Sequence, residues 1–306
     1  MATRLRNTFS VLLLFVFSYH IAHAASLKIP NYGTGGSGFS KTVNEKLSDL
    51  IFKNPKLGNK NSSVDNNPIY LPKTMNGSAV VIVSSCGGIH FKNFLDIQKW
   101  NALFLSNGFV TTVVNTTSYP RKKNCGRNKT QSPSRGVKDI FDAIKNTSKV
   151  EGVNINKIFV IGFSLGAMNA AKSIWTKNAK LALKEDEILP AAVAGLYGGC
   201  KYGNQITKRY LFPDLDRPIL WLMGEDDKES PPTDCKVVKI IKEKNELSDY
   251  HTYKNATHCW DCEAMHGFTK KVGNGNTVTY LYNEKATSDS KKRVLTFFDK
   301  IINTIE

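Results

Sequence analysis

The sequence contains no internal repeat, no low-complexity tract and no proline- or serine-rich linker within its regular part. Its 306 residues are 41% hydrophobic and 22% charged, which is the composition of a globular protein and excludes disordered and fibrous architectures. After the first 25 residues, no segment approaches the ~18 consecutive apolar residues that a membrane-spanning helix needs. We therefore expect a globular chain with no membrane anchor in its mature part.

Acidic residues are scarce compared with basic ones. The 42 Lys and Arg against 26 Asp and Glu give a net charge of +16, which could indicate a nucleic-acid or membrane-surface partner. The lysines are scattered, however, and the densest clusters, at 122–123, 270–271 and 291–293, are only two or three residues long. This pattern favours a solvated, lysine-rich surface and predicts no nucleic-acid partner.

The first 24 residues have the pattern of a secretory signal peptide. Arg4 and Arg6 precede an apolar run over 11–17, and Ala22-His23-Ala24 has the small-x-small pattern of a cleavage site. Cleavage before Ala25 would leave 306 − 24 = 282 residues with a net charge near 16 − 2 = +14. The sequence thus predicts a periplasmic or secreted protein.

Residues 25–77 are predicted to form an N-terminal arm with edge strands, one of them at 69–71, and residues 78–306 a single catalytic domain. Six short, non-alternating apolar runs are separated by helical patterns or long crossovers, which is typical of a mostly parallel sheet with helices on both faces. The predicted strands are 79–83, 109–114, 157–161, 191–196, 218–223 and 250–253. The predicted helices are 94–106, 136–148, 165–178, 232–247 and 288–302, and the irregular segment 201–217 is expected to form part of a lid.

A serine lies at the turn between the third predicted strand and its helix. The turn reads Gly162-Phe163-Ser164-Leu165-Gly166, a G-x-S-x-G sequence in the strand–turn–helix context of a nucleophile elbow. The two glycines leave room for neighbouring backbone, while the strained turn lifts the serine hydroxyl away from the sheet. We interpret Ser164 as a candidate nucleophile.

A serine hydroxyl needs an acid and a base, and in folds with this elbow they follow in the order Ser, Asp or Glu, His. The strand at 218–223 is followed by three acidic residues, of which Asp227 is preferred, with Asp226 and Glu225 as rivals. An acidic turn that merely caps the next helix is the simpler alternative.

The next strand is followed by two histidines that could act as the base. His258 is preferred over His266, and either could instead be an ordinary structural histidine. His251 falls inside the strand, and His90 precedes the serine and breaks the order. An oxyanion hole needs two backbone N–H donors, and the best candidates are Leu165, after the serine, and Cys86, in Ser84-Ser85-Cys86-Gly87-Gly88.

The six cysteines allow 15 disulfide connectivities. Cys86 and Cys125 follow strands that would be neighbours in this sheet, as do Cys200 and Cys235, which predicts these two pairs and leaves Cys259 with Cys262. A zinc site at Cys259-Trp-Asp-Cys262 with nearby histidines is the alternative. A single C-x-x-C is a poor zinc signal, so no metal is predicted.

The ordered motifs over residues 79–300 resemble those of the dienelactone hydrolase family of α/β-hydrolases. They are Ser84-Ser-Cys-Gly-Gly88, Trp100, Asn107-Gly-Phe109, Tyr119-Pro-Arg121, Arg135 to Asp139, Ile161-Gly-Phe-Ser-Leu-Gly-Ala167, Gly224-Glu-Asp-Asp227, Pro231-Pro232, Cys235 and Tyr253-x-x-Ala-x-His258-x-Trp-Asp261. The resemblance implies an α/β-hydrolase fold, and its Tyr-x-x-Ala-x-His pattern favours His258. Dienelactone hydrolases proper carry a cysteine where this chain has Ser164, and the family usually has His-Gly where this chain has Ser84-Ser85.

Together these patterns predict an exported serine hydrolase that cleaves a carboxylic ester or similar acyl bond of a small molecule. Ser164, His258 and Asp227 would form the triad, and no cofactor would be needed because every reacting group is a side chain. The alternative from another class is a catalytically silent α/β-hydrolase fold that serves as a binding protein. A metal-dependent hydrolase at the cysteine–histidine cluster is a third hypothesis.

Overall fold

The computed structural model describes residues 68–86, 88–89, 93–114, 133–175, 188–202, 209–210, 215–235, 245–272 and 275–305, all within the compact unit Lys41–Glu306. The strands are β1 Ile69–Tyr70, β2 Ala79–Val83, β3 Val110–Val114, β4 Ile158–Phe163, β5 Val193–Leu196, β6 Lys201–Tyr202, β7 Arg209–Tyr210, β8 Ile219–Gly224, β9 Asp249–Tyr253, β10 Thr269–Lys271 and β11 Thr277–Thr279. The helices are α1 Phe94–Ser106, α2 Pro133–Thr147, α3 Leu165–Ser173 and α4 Glu284–Ile305.

Seven strands form one sheet in the order β1-β3-β2-β4-β5-β8-β9. Every neighbouring pair is parallel except β1 with β3, where Ile69 lies opposite Thr112. The sheet contains all six predicted strands and the edge strand predicted near 69–71, and the predicted α/β-hydrolase fold is confirmed. From β2 the chain continues to β3 on one side and then to β4 on the other side. In such sheets ligands bind at the carboxyl ends of the two strands where the order reverses in this way, which here are β2 and β4.

Side chains of the central strands alternate between two apolar layers. In β2, Val81 and Val83 pack with α2 and α3, whereas Val80 and Ile82 pack with α1 and α4. All five residues of β2 are buried, and burying each valine or isoleucine contributes about 1.5–3 kcal/mol. Helices therefore cover both faces of the sheet, as predicted.

The helix predicted at 232–247 was wrong at both of its ends. Pro232–Cys235 is a single 3₁₀ turn, and the segment from Asn245 to Ser248 turns as well. The Asn245 side chain accepts a hydrogen bond from the N–H of Leu247, and the backbone carbonyl of Asn245 accepts one from the N–H of Ser248. Such local bonds to asparagine compete with helix formation. Positions 236–244 lie outside the described residues.

Other elements also differ from the predictions. Helix α3 ends at Ser173, and Trp175 then forms an antiparallel bridge with Leu215. Within the segment expected to be irregular, β6 pairs with β7, and the β10–β11 hairpin was not predicted. Of the described helices, none is both long and apolar enough to cross a bilayer.

Candidate active site

Ser164 occupies a strained turn between β4 and α3. Its φ of 53° and ψ of −115° lie outside the region that non-glycine residues ordinarily adopt, at a cost of about 1–3 kcal/mol. The turn is held because the Ser164 N–H donates to the Leu196 carbonyl at 3.0 Å and the Met168 N–H donates to the Ser164 carbonyl at 3.2 Å. The surrounding backbone thus fixes the serine at the carboxyl end of β4.

Two glycines make this turn possible. A Cβ on Gly162 would overlap the backbone of Gly166, and a Cβ on Gly166 would overlap the carbonyl oxygens of Val83 and Ser84. The overlaps show that the start of α3 packs directly against the end of β2. The residues after β2 therefore lie beside the serine, where the sequence places its oxyanion candidates.

A histidine and a carboxylate extend from Ser164 in a line of hydrogen bonds. His258 Nε2 lies 3.0 Å from Ser164 Oγ, and His258 Nδ1 lies 2.8 Å from Asp227 Oδ2. His258 is only 3% exposed and Asp227 2%. The structure therefore brings together the three residues that the sequence nominated, in the order of a nucleophile, a base and an orienting acid.

Backbone geometry distinguishes Asp227 from its two rivals. Its second oxygen, Oδ1, accepts hydrogen bonds from the N–H groups of Glu229 and Ser230, both at 2.8 Å. Asp226 and Glu225 are exposed. Because both Asp227 oxygens are bonded, the carboxylate holds one orientation towards the imidazole.

The two other histidines among the described residues have different surroundings. His266 is exposed, and its Nδ1 accepts a hydrogen bond from the N–H of Tyr282. His251 lies in β9, where its ring packs on Tyr253. His90 lies outside the described residues.

Two tyrosine rings fix the imidazole of His258. Tyr197 packs on it edge to face with centroids 4.9 Å apart, and Tyr280 lies 5.4 Å away. Tyr197 is itself strained, with a φ of 42°. Strained residues of this kind persist where the surrounding structure determines their position, and they are frequent at functional sites.

The charges around His258 favour its protonated form. Burial by itself lowers the pKa of the imidazole, but the neighbouring Asp227 carboxylate and then Glu229 outweigh burial, so the pKa lies above its ordinary value. A base with a raised pKa holds an abstracted proton more readily.

The loop that carries His258 is tied to α1. Trp100 Nε1 donates to Asp261 Oδ2 at 2.8 Å, and Asp96 Oδ1 accepts from the N–H of Glu263 at 3.2 Å. Both aspartates are buried. Burial and then the charge of Asp261 raise the pKa of Asp96 to about 6. These two contacts join segments that are 161 and 167 positions apart in the sequence, and they determine where the histidine lies.

Cysteines stiffen two parts of the site. Cys200, after β5, is bonded to Cys235, after β8, with Cα atoms 5.1 Å apart. Cys259 is bonded to Cys262 across one turn of the histidine loop, with Cα atoms 5.3 Å apart. Cys86 also takes part in a disulfide, while Cys125, its predicted partner, lies outside the described residues.

Cys259, Asp261 and Cys262 are close enough to be considered as a metal site. In the disulfide neither sulfur offers a thiolate, which is the form that binds zinc. Both ring nitrogens of His258 already face Asp227 and Ser164. The donor set therefore fits a disulfide-bonded loop better than a zinc centre.

The predicted oxyanion donors lie at the carboxyl edge of the sheet. Leu165 is the first residue of α3, so its N–H is one of the four that a helix leaves without an intrahelical partner. Around Cys86, the N–H of Ser84 donates to the Val114 carbonyl and that of Gly88 to the Ser85 carbonyl.

Sequence reasoning missed a second carboxylate near His258. Glu229 Oε2 lies 3.9 Å from His258 Nε2, and Glu229 also contacts Lys270 and Tyr280 of the β10–β11 hairpin. The hairpin had a detectable signal, since Asn274-Gly275 is a favoured turn sequence and threonines flank it at 269 and 277. No comparable signal connects the hairpin to Glu229.

The parallel sheet, the serine elbow and the adjacent imidazole and carboxylate are those of an α/β-hydrolase. The family model of the dienelactone hydrolase family matches residues 67–302, and the chain belongs to this family. It is thus a hydrolase acting on ester bonds, as predicted. No curated protein matches its sequence.

Several solved structures share the fold. A thermophilic esterase from the planctomycete Thermogutta terrifontis, with propionate bound, has a TM-score of 0.55 at 16% identity, over 78% of this chain and 92% of that one. A dienelactone hydrolase-like promiscuous phosphotriesterase from metagenomic libraries has a TM-score of 0.52 at 14% identity, over 76% and 88%. An α/β-hydrolase from a Medee basin deep-sea metagenome has 0.52 at 16% identity, over 77% and 91%.

Proposed function

We propose that this protein is an exported serine hydrolase that cleaves carboxylic esters of small molecules with Ser164, His258 and Asp227. The observation that carries the proposal is the line of contacts from Ser164 Oγ to His258 Nε2, at 3.0 Å, and from His258 Nδ1 to Asp227 Oδ2, at 2.8 Å. Membership of the dienelactone hydrolase family supports the ester bond as the target.

In the first half of the reaction, Ser164 Oγ attacks the ester carbonyl while its proton passes to His258 Nε2. Asp227 accepts a hydrogen bond from Nδ1–H, which orients the ring and stabilises the imidazolium. The N–H groups of Leu165 and Cys86 would stabilise the oxyanion. The tetrahedral intermediate then collapses, the alcohol leaves with the proton from Nε2, and the acyl group remains on Ser164.

In the second half, water attacks the acyl carbon and gives a proton to His258 Nε2. The bond from carbon to Ser164 Oγ then breaks, and the proton returns to the serine as the carboxylic acid leaves. Side chains and backbone N–H groups of the chain supply every group in these steps, so the proposal requires no cofactor.

Export is supported by the N-terminal sequence and by the cysteines. The charged, then apolar, start of the chain resembles a signal peptide, and disulfides at Cys200–Cys235 and Cys259–Cys262 suit an oxidising compartment. N-terminal sequencing of protein recovered outside the cytoplasm should begin at Ala25. A retained Met1 in the recovered protein would contradict cleavage.

A fluorophosphonate probe tests the serine. The Thermogutta terrifontis esterase has been captured phosphorylated by paraoxon, a reaction of the same type. We expect labelling of the wild type and of Ser288→Ala, an exposed serine of α4, but none of Ser164→Ala, whose ester turnover should fall at least ~10³-fold. A folded wild type that takes no label would contradict the proposal and favour a silent binding protein.

A further inference from the structure

A second carboxylate faces the reactive nitrogen of His258. Asp227 lies against Nδ1, whereas Glu229 Oε2 lies 3.9 Å from Nε2, the nitrogen that contacts Ser164. The Glu229 side chain is 19% exposed, so it is partly accessible to solvent. Glu229 therefore lies where the reacting atoms meet, and its side chain takes no part in the steps described above.

The Glu229 carboxylate is held in place by two donors, one in β10 and one directly after β11. Lys270 Nζ donates to Oε1 at 2.9 Å, and the Tyr280 hydroxyl donates to Oε2 at 2.8 Å. Burial raises the pKa of Glu229, but the His258 ring and Lys270 outweigh it, so the pKa lies below its ordinary value and the group stays ionised. An ionised carboxylate with fixed orientation is a strong hydrogen-bond acceptor.

The separation of the two acceptors fits a single bridging water. In the acyl-enzyme, Ser164 Oγ is esterified, so Nε2 can accept a hydrogen bond from the attacking water. A water about 2.8 Å from both Nε2 and Oε2 spans their 3.9 Å separation with an angle of about 90° between its two bonds. One proton of this water would point to the imidazole and the other to the carboxylate.

We propose that Glu229 is a catalytic residue of the deacylation step, where it positions the hydrolytic water. This inference rests on the proposed serine mechanism. The water oxygen bonds to the acyl carbon, one water proton passes to His258 Nε2 and then to Ser164 Oγ as the C–Oγ bond breaks, and the second proton leaves with the carboxylic acid. Glu229 accepts a hydrogen bond from this second proton throughout and ends the cycle unchanged. Acylation uses no water, so it does not need this contact.

Glu229→Gln tests the inference. Glutamine keeps the shape and an acceptor for Tyr280, and the backbone N–H that bonds Asp227 is retained. Steady-state kcat with a p-nitrophenyl ester and the fraction of acylated enzyme after acid quench, measured by mass spectrometry, together yield the acylation and deacylation rate constants. At a pH where His258 is neutral in both proteins, we expect the deacylation constant to fall at least ~10-fold and the acylation constant to change less than ~3-fold, with acyl-enzyme accumulating.

The matched control is Glu225→Gln, the same chemical change at an exposed position of the same turn. It should leave both rate constants unchanged. Tyr280→Phe removes one donor to Glu229 while its ring remains, and it should slow deacylation selectively but less. This variant carries the test if thermal unfolding shows that Glu229→Gln does not fold.

Equal falls in both rate constants, or no change in either, would overturn the role in deacylation. Failure of the serine mechanism gives a different result, because the wild type itself would then show no acyl group on Ser164. That outcome would overturn both proposals.

Discussion

The serine and the histidine of the candidate site are placed by different means. The elbow, residues 162–166, is determined by neighbours in sequence and by the strands on either side, since Gly162 and Gly166 contact backbone that side chains would displace. The histidine loop, residues 258–265, has almost no regular structure beyond the 3₁₀ turn Glu263–Met265. Side chains of α1 bond to it, and the buried ring of Trp260 packs on Tyr197 and Tyr253.

Trp100, Asp96 and the Cys259–Cys262 disulfide hold the histidine loop. Each of these contacts is a single bond or hydrogen bond, whereas the elbow is embedded in the packed sheet. Damage to the elbow should therefore reduce stability and activity together. Substitutions that loosen the loop should lower activity by more than the accompanying loss of stability can account for.

Gly166→Ala tests the elbow and should have the largest effect on stability. Alanine favours helix by about 1 kcal/mol, yet the new Cβ would overlap the carbonyl oxygens of Val83 and Ser84, which cannot move without shifting β2. We expect the free energy of unfolding, from chemical denaturation, to fall by about 3 kcal/mol and ester turnover to fall with it.

Gly275→Ala is the control for Gly166→Ala. Gly275 has a φ of +87° and no atom within 4 Å of an added Cβ, so only backbone strain of about 1–2 kcal/mol applies. A Gly166→Ala protein as stable as the wild type would show that the elbow tolerates a side chain, and the contrast between the two regions would fail.

Trp100→Phe tests the histidine loop with a smaller expected effect on stability. Phenylalanine keeps an aromatic ring but removes the N–H that bonds Asp261, which leaves a buried carboxylate with one donor fewer. We expect the free energy of unfolding, from chemical denaturation, to fall by about 1–3 kcal/mol. We expect kcat to fall about tenfold, since His258 then loses part of its support.

Trp260→Phe is the matched control for the loop. Trp260 is also fully buried, and its Nε1 has no hydrogen-bond partner among the described residues, so the two variants lose similar volume but only one loses a bond. An equal loss of kcat in both variants would mean that ring volume, and not the bond to Asp261, positions the loop.

The same contrast explains which features the sequence could predict. The elbow and the central strands follow from short-range patterns, because non-alternating valine and isoleucine runs specify buried parallel strands and Gly162 and Gly166 specify the turn. The start of α3 is predictable for the same reason. The helix predicted over 232–247 does not reach its predicted C-terminal end, because the Asn245 side chain accepts a hydrogen bond from the N–H of Leu247, a local alternative that apolar periodicity does not reveal.

The histidine loop marks the limit of that reasoning. The family's motif favours His258 over His266, but nothing in the sequence pairs Asp261 with Trp100, which lies 161 positions away. Glu229 was missed for the same reason, since its role depends on Lys270 and Tyr280, 41 and 51 positions along the chain. Contacts of this kind arise only when the sheet has brought distant segments together.

The smallest expected effect is a shift in the pH profile, which tests the charges on the loop side of the site. The neutral imidazole is the base, so kcat/KM should be lost as the pH falls through the pKa of His258, which lies above its ordinary value. Glu229→Gln removes a negative charge 3.9 Å from Nε2, and should move this loss of kcat/KM, the acid limb of the profile, to lower pH. Lys270→Met removes a positive charge that lowers the pKa of His258, and should move the limb to higher pH. Shifts in the same direction would show that loosening of the hairpin, and not charge, sets the pH dependence of the base.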